Sequence, residues 1–314
     1  MSVPSLKELR DGGKAALARA LAAIETEADS SYLAGLLDEA CASPKGHVIG
    51  LTGTPGVGKS TLINMLIARA RAVSKTIAVI AVDPSSKITG GALLGDRARM
   101  TTDPEDKGVF VRSMAARDRL GGISNETIAA VALMRALYDR VIVETVGIGQ
   151  SESDIATVAD TVLLCVQPGA GDALQFMKAG VMELPDVVAV TKSDLGPAAR
   201  RARADVEGAL GLMERGGNWF APVLMISATT GEGLDELDET LAKHLAHLTS
   251  KSSLSEKRAA QEKEWIAEGI RARFGSEGVA AAREIKVDAR GPFTRERLLG
   301  RELKRRLFLL TRND

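Results

Sequence analysis

The residues of this sequence best equipped for chemistry are Gly53-Thr54-Pro55-Gly56-Val57-Gly58-Lys59-Ser60-Thr61. Their spacing, G-x-x-x-x-G-K-[ST] between an apolar run and a helical one, is that of a phosphate-binding loop. Its glycines let the backbone wrap an anion, so that consecutive N–H groups and a helix start face the negative charge. Lys59 would bridge the β- and γ-phosphates of a nucleoside triphosphate as a point charge, and the Ser60 hydroxyl would join a magnesium shell. Two acids directly follow apolar runs, Asp83 in Asp83-Pro84-Ser85-Ser86 and Glu144 in Glu144-Thr145-Val146-Gly147. In isolation an acid at such a place is more often a turn former or a helix cap. Beside a phosphate loop it has a second use, because Mg²⁺ takes a near-octahedral oxygen shell of one or two carboxylates, phosphates and water. Asp83, Asp96 and Glu144 are the candidates, directly or through water. Gly147, Gly149 and the run from Gln150 to Ser153 form a flexible segment suited to ordering around a terminal phosphate.

A phosphate loop does not separate ATP from GTP, so the base-reading residues decide. Thr191-Lys192-Ser193-Asp194 follows the apolar run from Val187 to Val190, near the edge of a sheet where α/β ligands bind. It resembles the guanine motif Asn-Lys-x-Asp. A carboxylate at Asp194 can accept from guanine N1–H and the exocyclic amine, a donor pair that adenine lacks, while the stem of Lys192 covers the base face. Thr191 replaces the motif's Asn, which puts the usual tether back to the phosphate loop in question. Ser227-Ala228 ends a later strand, where a short Ser-Ala motif would buttress the base.

These residues need elements to hold them. Short β-branched runs at His47–Thr52, Thr76–Val82, Val109–Arg112, Val141–Thr145, Thr161–Val166, Val187–Thr191 and Val223–Ser227 read as strands. Helical stretches alternate with them at Ser60–Ala72, Asn125–Tyr138, Asp172–Glu183, Ala198–Leu212 and Leu234–His247. The alternation predicts an α/β fold, a P-loop NTPase with a mostly parallel sheet covered by helices on both faces. Residues 1–45 read as an N-terminal helical arm, 46–249 as the nucleotide-binding domain and 250–314 as a C-terminal helical arm. The latter holds a polar linker at Thr249–Ser255, a charged helix over Glu256–Phe274, and a basic amphipathic segment over Arg295–Leu310.

Composition narrows the classes. Of 314 residues, Lys+Arg and Asp+Glu number 41 each, so nothing suggests a nucleic-acid partner. No apolar run approaches a membrane span, and the start of the chain lacks the basic-then-apolar pattern of a secretory signal. The two cysteines, Cys41 and Cys165, suggest neither a disulfide framework nor a metal site, and a reducing cytoplasm fits best. Among the three histidines, His244 and His247 lie three apart on a helix, where a solvated face is the ordinary reading. There is no Ser/His/Asp or Cys/His nucleophile set, so the chemistry on offer is phosphoryl transfer to water by positioning and charge neutralisation.

Several further stretches occur in order: Val82-Asp-Pro-Ser-Ser86, Thr89-Gly-Gly-Ala-Leu-Leu-Gly-Asp96, Leu120-Gly-Gly122, Val143-Glu-Thr-Val-Gly-Ile-Gly-Gln-Ser-Glu152 and Pro168-Gly-Ala-Gly-Asp172. With Gly53–Ser60 and Thr191–Asp194 they resemble the methylmalonyl-CoA mutase-associated G-protein family over residues 47–247, with weaker support from Lys257, Arg258, Gln261 and Trp265. That resemblance implies GTP hydrolysis to GDP and phosphate, with Mg²⁺, by a chaperone that protects and loads an adenosylcobalamin-dependent acyl-CoA mutase. The cobalamin would belong to the partner, and the GTPase would have no cofactor of its own. The resemblance also implies a homodimer through the C-terminal arm, an adenosyltransferase as a further partner, no membrane, and a third switch running from Asp172 to Lys178. A lysine matching Lys178 is implicated there in activation by the mutase. Met114-Ala-Ala-Arg117-Asp-Arg119 departs from the family's usual Pro-Ser or Pro-Thr, so a related acyl-CoA mutase is a second candidate client. The rival readings are a nucleotide-dependent kinase or transport-associated ATPase, a nickel-delivery GTPase, and a membrane-surface protein using Arg295–Leu310.

Overall fold

The computed structural model describes residues 4–27, 29–83, 103–116, 123–145, 154–169, 185–212, 218–250 and 252–310. The expected helix at 172–183 falls outside them. Seven strands are present: β1 (His47–Gly53), β2 (Ile77–Asp83), β3 (Val109–Ala115), β4 (Arg140–Glu144), β5 (Thr161–Val166), β6 (Val187–Val190) and β7 (Val223–Met225). They form one sheet in the order β3-β2-β4-β1-β5-β6-β7, and every pairing is parallel. Parallel strands must be covered on both faces, and the side chains alternate accordingly. Val48, Ala78, Ile80, Val141 and Val143 enter one core, while Ile49, Leu51, Ile77, Val79 and Ile142 enter the other.

The second face carries α4 (Lys59–Ala72) and α7 (Leu234–Ser250). The first carries α6 (Pro197–Gly211), whose Ala199, Val206 and Ala209 pack with Leu164 and Val188, and α5 (Asn125–Leu137), against which α2 (Gly13–Thr26) and α3 (Ser31–Ala42) pack, with α1 (Leu6–Asp11) on α2 and α3. Each of α1, α3 and α5 begins at a serine whose hydroxyl accepts a backbone N–H of the first turn, which satisfies a donor that the helix leaves open. Leu17, Leu21, Ile24, Leu33 and Leu37 share one buried cluster with α5 and the sheet.

Two helices complete the chain, α8 (Ser253–Ala282) and α9 (Pro292–Leu310). The expected polar linker shrinks to a turn at Ser252, with α7 ending at Ser250. Its hydroxyls fold back onto nearby carbonyls, Thr249 to Leu245 and Ser255 to Ser252, which lets a polar run stay helical. At Gly275 (φ 70°, ψ −171°) α8 breaks, one residue after the expected end at Phe274. On α9 the side chains of Leu299 and Leu303 are buried against α8, whereas Leu307 and Phe308 are exposed. No described helix is long and apolar enough to cross a membrane.

One face of α8 grips the segment that leads into β5. Lys257 Nζ donates to the Asp160 carbonyl (2.8 Å), Gln261 Nε2 to the carbonyls of Ala156 and Ala159 (2.9 Å each), and Trp265 Nε1 to that of Thr157 (2.8 Å). Arg258 makes two bonds to the fully buried Asp160 carboxylate (2.9 and 2.7 Å) and one to the Gly46 carbonyl (2.9 Å). Asp160 also accepts from the Val48 amide (2.8 Å). Burial alone would raise this carboxyl, but the Arg258 bonds and charge, with the Val48 amide, hold it below the usual carboxylate range.

His244 departs from the expectation of a solvated helical face. It is buried, and His47 Nε2 and His244 Nδ1 meet at the Thr161 hydroxyl (2.7 and 2.8 Å). His244 Nε2 lies 3.3 Å from Asp186 Oδ1. One hydroxyl proton serves one ring. If His244 Nε2 carries its proton toward Asp186, Thr161 donates to His244 Nδ1 and accepts from His47 Nε2. Burial pushes His47 down to about 3 and lowers His244 as well, so both rings are neutral.

Candidate nucleotide site

Parallel pairing places the ends of β1, β2, β4, β5, β6 and β7 along one edge, and the predicted residues gather there. β1 is wholly buried and ends at Gly53 (φ 146°). A Cβ on Gly53 would strike the Cys165 carbonyl of β5, so only glycine lets the loop leave this close to its neighbour. Gly56 (φ 79°) and Gly58 (φ 103°) are left-handed, a conformation glycine adopts without steric cost. Between them Val57 is fully buried and pins the loop to the core of the second face. The loop therefore turns around a fixed apolar post.

Lys59 opens α4, and its side chain is buried beneath the loop. Its ammonium donates to the carbonyls of Gly53 (2.7 Å) and Thr54 (3.3 Å). Gly58 caps α4 with no side-chain hydrogen bond, so the first amides of the helix are not taken by a cap, as an anion site requires. Ser60 and Thr61 follow in the first turn, half-buried and exposed respectively.

Glu144 is the last residue of β4 and is buried. It is paired with Leu51, two residues before Gly53, so its strand ends beside the loop. Thr145 follows, its amide donating to the Leu51 carbonyl (3.2 Å) and its hydroxyl to Thr52 Oγ1 (3.1 Å). Asp83 closes β2, beyond the Ala81–Glu144 register with β4, and its side chain lies outside the described set. Asp96, Gly147, Gln150, Asp172 and Lys178 lie outside the described residues altogether. Among the described residues no group of three or more His, Cys, Asp or Glu is gathered as for a metal. Ser60 and Glu144 are the described members of the candidate magnesium shell. A hydroxyl and a carboxylate are the oxygen donors a nucleotide-bound Mg²⁺ takes from protein.

Cys165 is a buried free thiol, and burial pushes it up to about 12. It acts as an apolar wall of the loop.

The residues predicted to read the base come together on the loops after β6 and β7. Lys192 is left-handed (φ 56°, ψ 43°), and Ser193–Leu195 forms a single 3-10 turn. Ser193 N donates to the Ile226 carbonyl (3.0 Å). The Ser227 hydroxyl donates to Asp194 Oδ1 (2.7 Å) and accepts the Thr230 amide (3.2 Å). One Asp194 oxygen is thus fixed by Ser227, with the carboxylate exposed and able to accept further donors. Ala228 follows, half-buried.

Thr191 keeps the tether that the loss of Asn calls into question. Its hydroxyl lies 2.8 Å from the Val57 carbonyl of the phosphate loop and 3.2 Å from that of Val166. A threonine is short enough to make this bond because Thr191 is buried directly against the loop.

Two side chains that no motif singles out bond to these residues from the loops after β5 and β7. Gln167 Oε1 accepts from Lys192 Nζ (2.8 Å), and Glu232 Oε2 accepts from the Ser193 hydroxyl (2.8 Å). Gln167 directly precedes Pro168-Gly-Ala-Gly-Asp172, the one sequence signal near it. Glu232 carries none.

A family model described as "Methylmalonyl Co-A mutase-associated GTPase MeaB" matches residues 17–283. A Pyrococcus horikoshii protein that bears a GTPase name is 41% identical over 264 residues, covering 81% of this chain and 80% of that protein. The mouse (Mus musculus) mitochondrial methylmalonic aciduria type A homolog is 38% identical over 222 residues, covering 69% of this chain and 54% of that protein. A crystal structure titled LAO/AO transport system kinase superposes with a TM-score of 0.66 at 28% identity, covering 95% of this chain and 96% of that one.

Proposed function

Because the chain belongs to the methylmalonyl-CoA mutase-associated GTPase family, we propose that it is a GTP-driven chaperone and gatekeeper for an adenosylcobalamin-dependent acyl-CoA mutase. The family model and the mouse relative's name support that client class. As a GTPase, the protein transfers the terminal phosphoryl group of GTP to water. The observation that carries the choice of GTP is the Asp194 carboxylate, held by the Ser227 hydroxyl at 2.7 Å and presented beside Lys192. A kinase or transport ATPase selecting adenine would find no use for that acceptor.

In this reading the loop from Gly53 to Thr61 wraps the phosphates and Lys59 swings from its loop carbonyls to the β- and γ-phosphates. Ser60 and Glu144, with Asp83 and Asp96, would hold Mg²⁺, which when bound neutralises charge on the β- and γ-oxygens. Lys192 covers the base, and Asp194 with Ser227 and Ala228 reads its edge. No glutamine directly follows Gly147, so a water-orienting side chain is missing from the position where one is expected. Intrinsic hydrolysis is therefore slow, and the mutase speeds it by ordering the segments around Gly147, Gln150 and Asp172, with Lys178 stabilising transition-state charge. The C-terminal arm carries a homodimer contact, and an adenosyltransferase is a further partner.

The test has two arms. Labelled GTP and ATP are titrated against wild type and Asp194→Ala, and GTP turnover is followed with and without an adenosylcobalamin-dependent acyl-CoA mutase. GTP preference that falls about 100-fold in the variant, with faster turnover beside the mutase, supports the reading. Equal binding of both nucleotides by wild type overturns the base assignment, and fast turnover unaffected by any mutase overturns the client.

A further inference from the structure

Lys192 combines two costs. It is one of three non-glycine residues among the described set with positive φ, a region disfavoured for side-chain-bearing residues, and its side chain is exposed, so fixing it loses rotamer freedom. Both are offset by anchoring of the ammonium at two points. Nζ donates to the Gly56 carbonyl of the phosphate loop (3.0 Å) and to Gln167 Oε1 (2.8 Å). Strain held in place by surrounding bonds is a mark of a positioned residue.

Gln167 stands where it can do this. It follows Val166, the last residue of β5, whose carbonyl accepts the Thr191 amide (2.8 Å). The end of β5 is thereby docked to the base-reading loop by backbone and side chain together, and the Gln167 amide extends that docking by one residue to the lysine.

We propose that Gln167 is a positioning residue of the guanine site: its side-chain carbonyl fixes the Lys192 ammonium so that the lysine stem lies across the base and slows nucleotide release. This rests on the assignment of Thr191–Asp194 to the base. Gln167 acts through Lys192, whereas Asp194 reads the base edge, so the two residues control different quantities. Gln167 sets how long any guanine nucleotide stays. Asp194 sets which base is taken.

The experiment uses the full chain with fluorescent GDP and Mg²⁺. Gln167→Met keeps the length of the side chain and removes the acceptor, whereas Gln167→Glu keeps an acceptor of the same reach. Gln167→Met is expected to release GDP about fivefold faster and to raise KM for GTP more than it lowers kcat, with its preference for GTP over ATP retained. Gln167→Glu is expected to release GDP within about twofold of wild type. GDP release from Gln167→Met at the wild-type rate overturns the proposal, and so does equal acceleration in the two variants, which points to packing alone. Failure of the base assignment gives a different signature. Asp194→Ala would then keep wild-type discrimination between GTP and ATP, whatever Gln167→Met does.

Discussion

At the carboxyl edge of the sheet the functional side chains come from short contiguous stretches, Gly53–Thr61 and Thr191–Asp194, and bond across loops that the strands bring side by side. At the amino edge the side chains that hold the strands in place are scattered. Arg258 reaches Gly46 across 212 positions and Asp160 across 98, and His47 and His244 meet at Thr161 from two separate elements. The carboxyl edge keeps polar groups accessible to a ligand, and the amino edge consumes its polar groups in bonds among themselves. A motif can mark the first kind of construction because its spacing is dictated by the ligand. The second is dictated only by the fold, and each of its contacts can be supplied from anywhere in the chain.

The largest effect that tests this division is on stability. Arg258→Ala leaves the buried Asp160 carboxylate with the Val48 amide and without its charge partner. Loss of one member of a buried pair costs about 3–5 kcal/mol, so a urea titration should show an unfolding free energy lowered by that amount. Binding of GTP relative to ATP should stay as in wild type, because the Arg258 side chain acts at the opposite edge from Asp194. A variant that keeps its stability but loses base preference would break the division.

The sequence makes the carboxyl edge legible for a physical reason. Glycine at Gly56 and Gly58, a lysine next and a hydroxyl after it are constraints of phosphate geometry; both glycines are left-handed and the Lys59 ammonium lies on the Gly53 carbonyl of the loop. Strand–helix alternation was equally readable, since period-two burial follows from a sheet covered on both faces. What stayed hidden is telling. Thr191 substitutes for Asn because it is packed close enough to the loop for a short hydroxyl to reach Val57, and closeness is not written in residue type. Gln167 and Glu232 look like ordinary polar residues until strands β5, β6 and β7 bring their loops together. The polar run after Thr249 reads as a linker, yet its hydroxyls bond back onto nearby carbonyls and the turn at Ser252 is all that interrupts the helices.

A smaller effect, in acid, sharpens the same contrast. His47 has a folded pKa of about 3 against 6.5 for the free side chain, and His244 is also lowered. Between those values the unfolded chain binds protons that the folded chain refuses, so stability rises with pH in that window. Stability is whole above about pH 6.5 and falls as acid protonates the unfolded imidazoles, at about 1.4 kcal/mol per pH unit for each such histidine. Unfolding free energies measured from about pH 7.5 to about pH 5 should fall with this slope, ahead of the carboxylates that titrate lower. His47→Asn, whose amide can still donate to Thr161, should flatten the slope. An unchanged slope would remove His47 from the account and leave the amino edge without its acid-sensitive element.

The smallest effect crosses from one edge to the other. Thr191→Val preserves volume and branching but deletes the hydroxyl within 2.8 Å of the Val57 carbonyl. A single neutral hydrogen bond contributes about 1 kcal/mol, and Thr191 is buried, so the orphaned carbonyl is not repaid by water. If the bond serves mainly to hold the phosphate loop, calorimetry should show GDP affinity reduced about fivefold, with both guanine and adenine nucleotides affected alike. Thr191→Asn offers an amide to the same carbonyl and should recover most of the loss. If instead the unfolding free energy drops by the full amount and nucleotide affinity holds, Thr191 belongs with the buried bonds of the amino edge in kind, and the boundary between a ligand-shaped edge and a fold-shaped one runs through the base-reading loop itself.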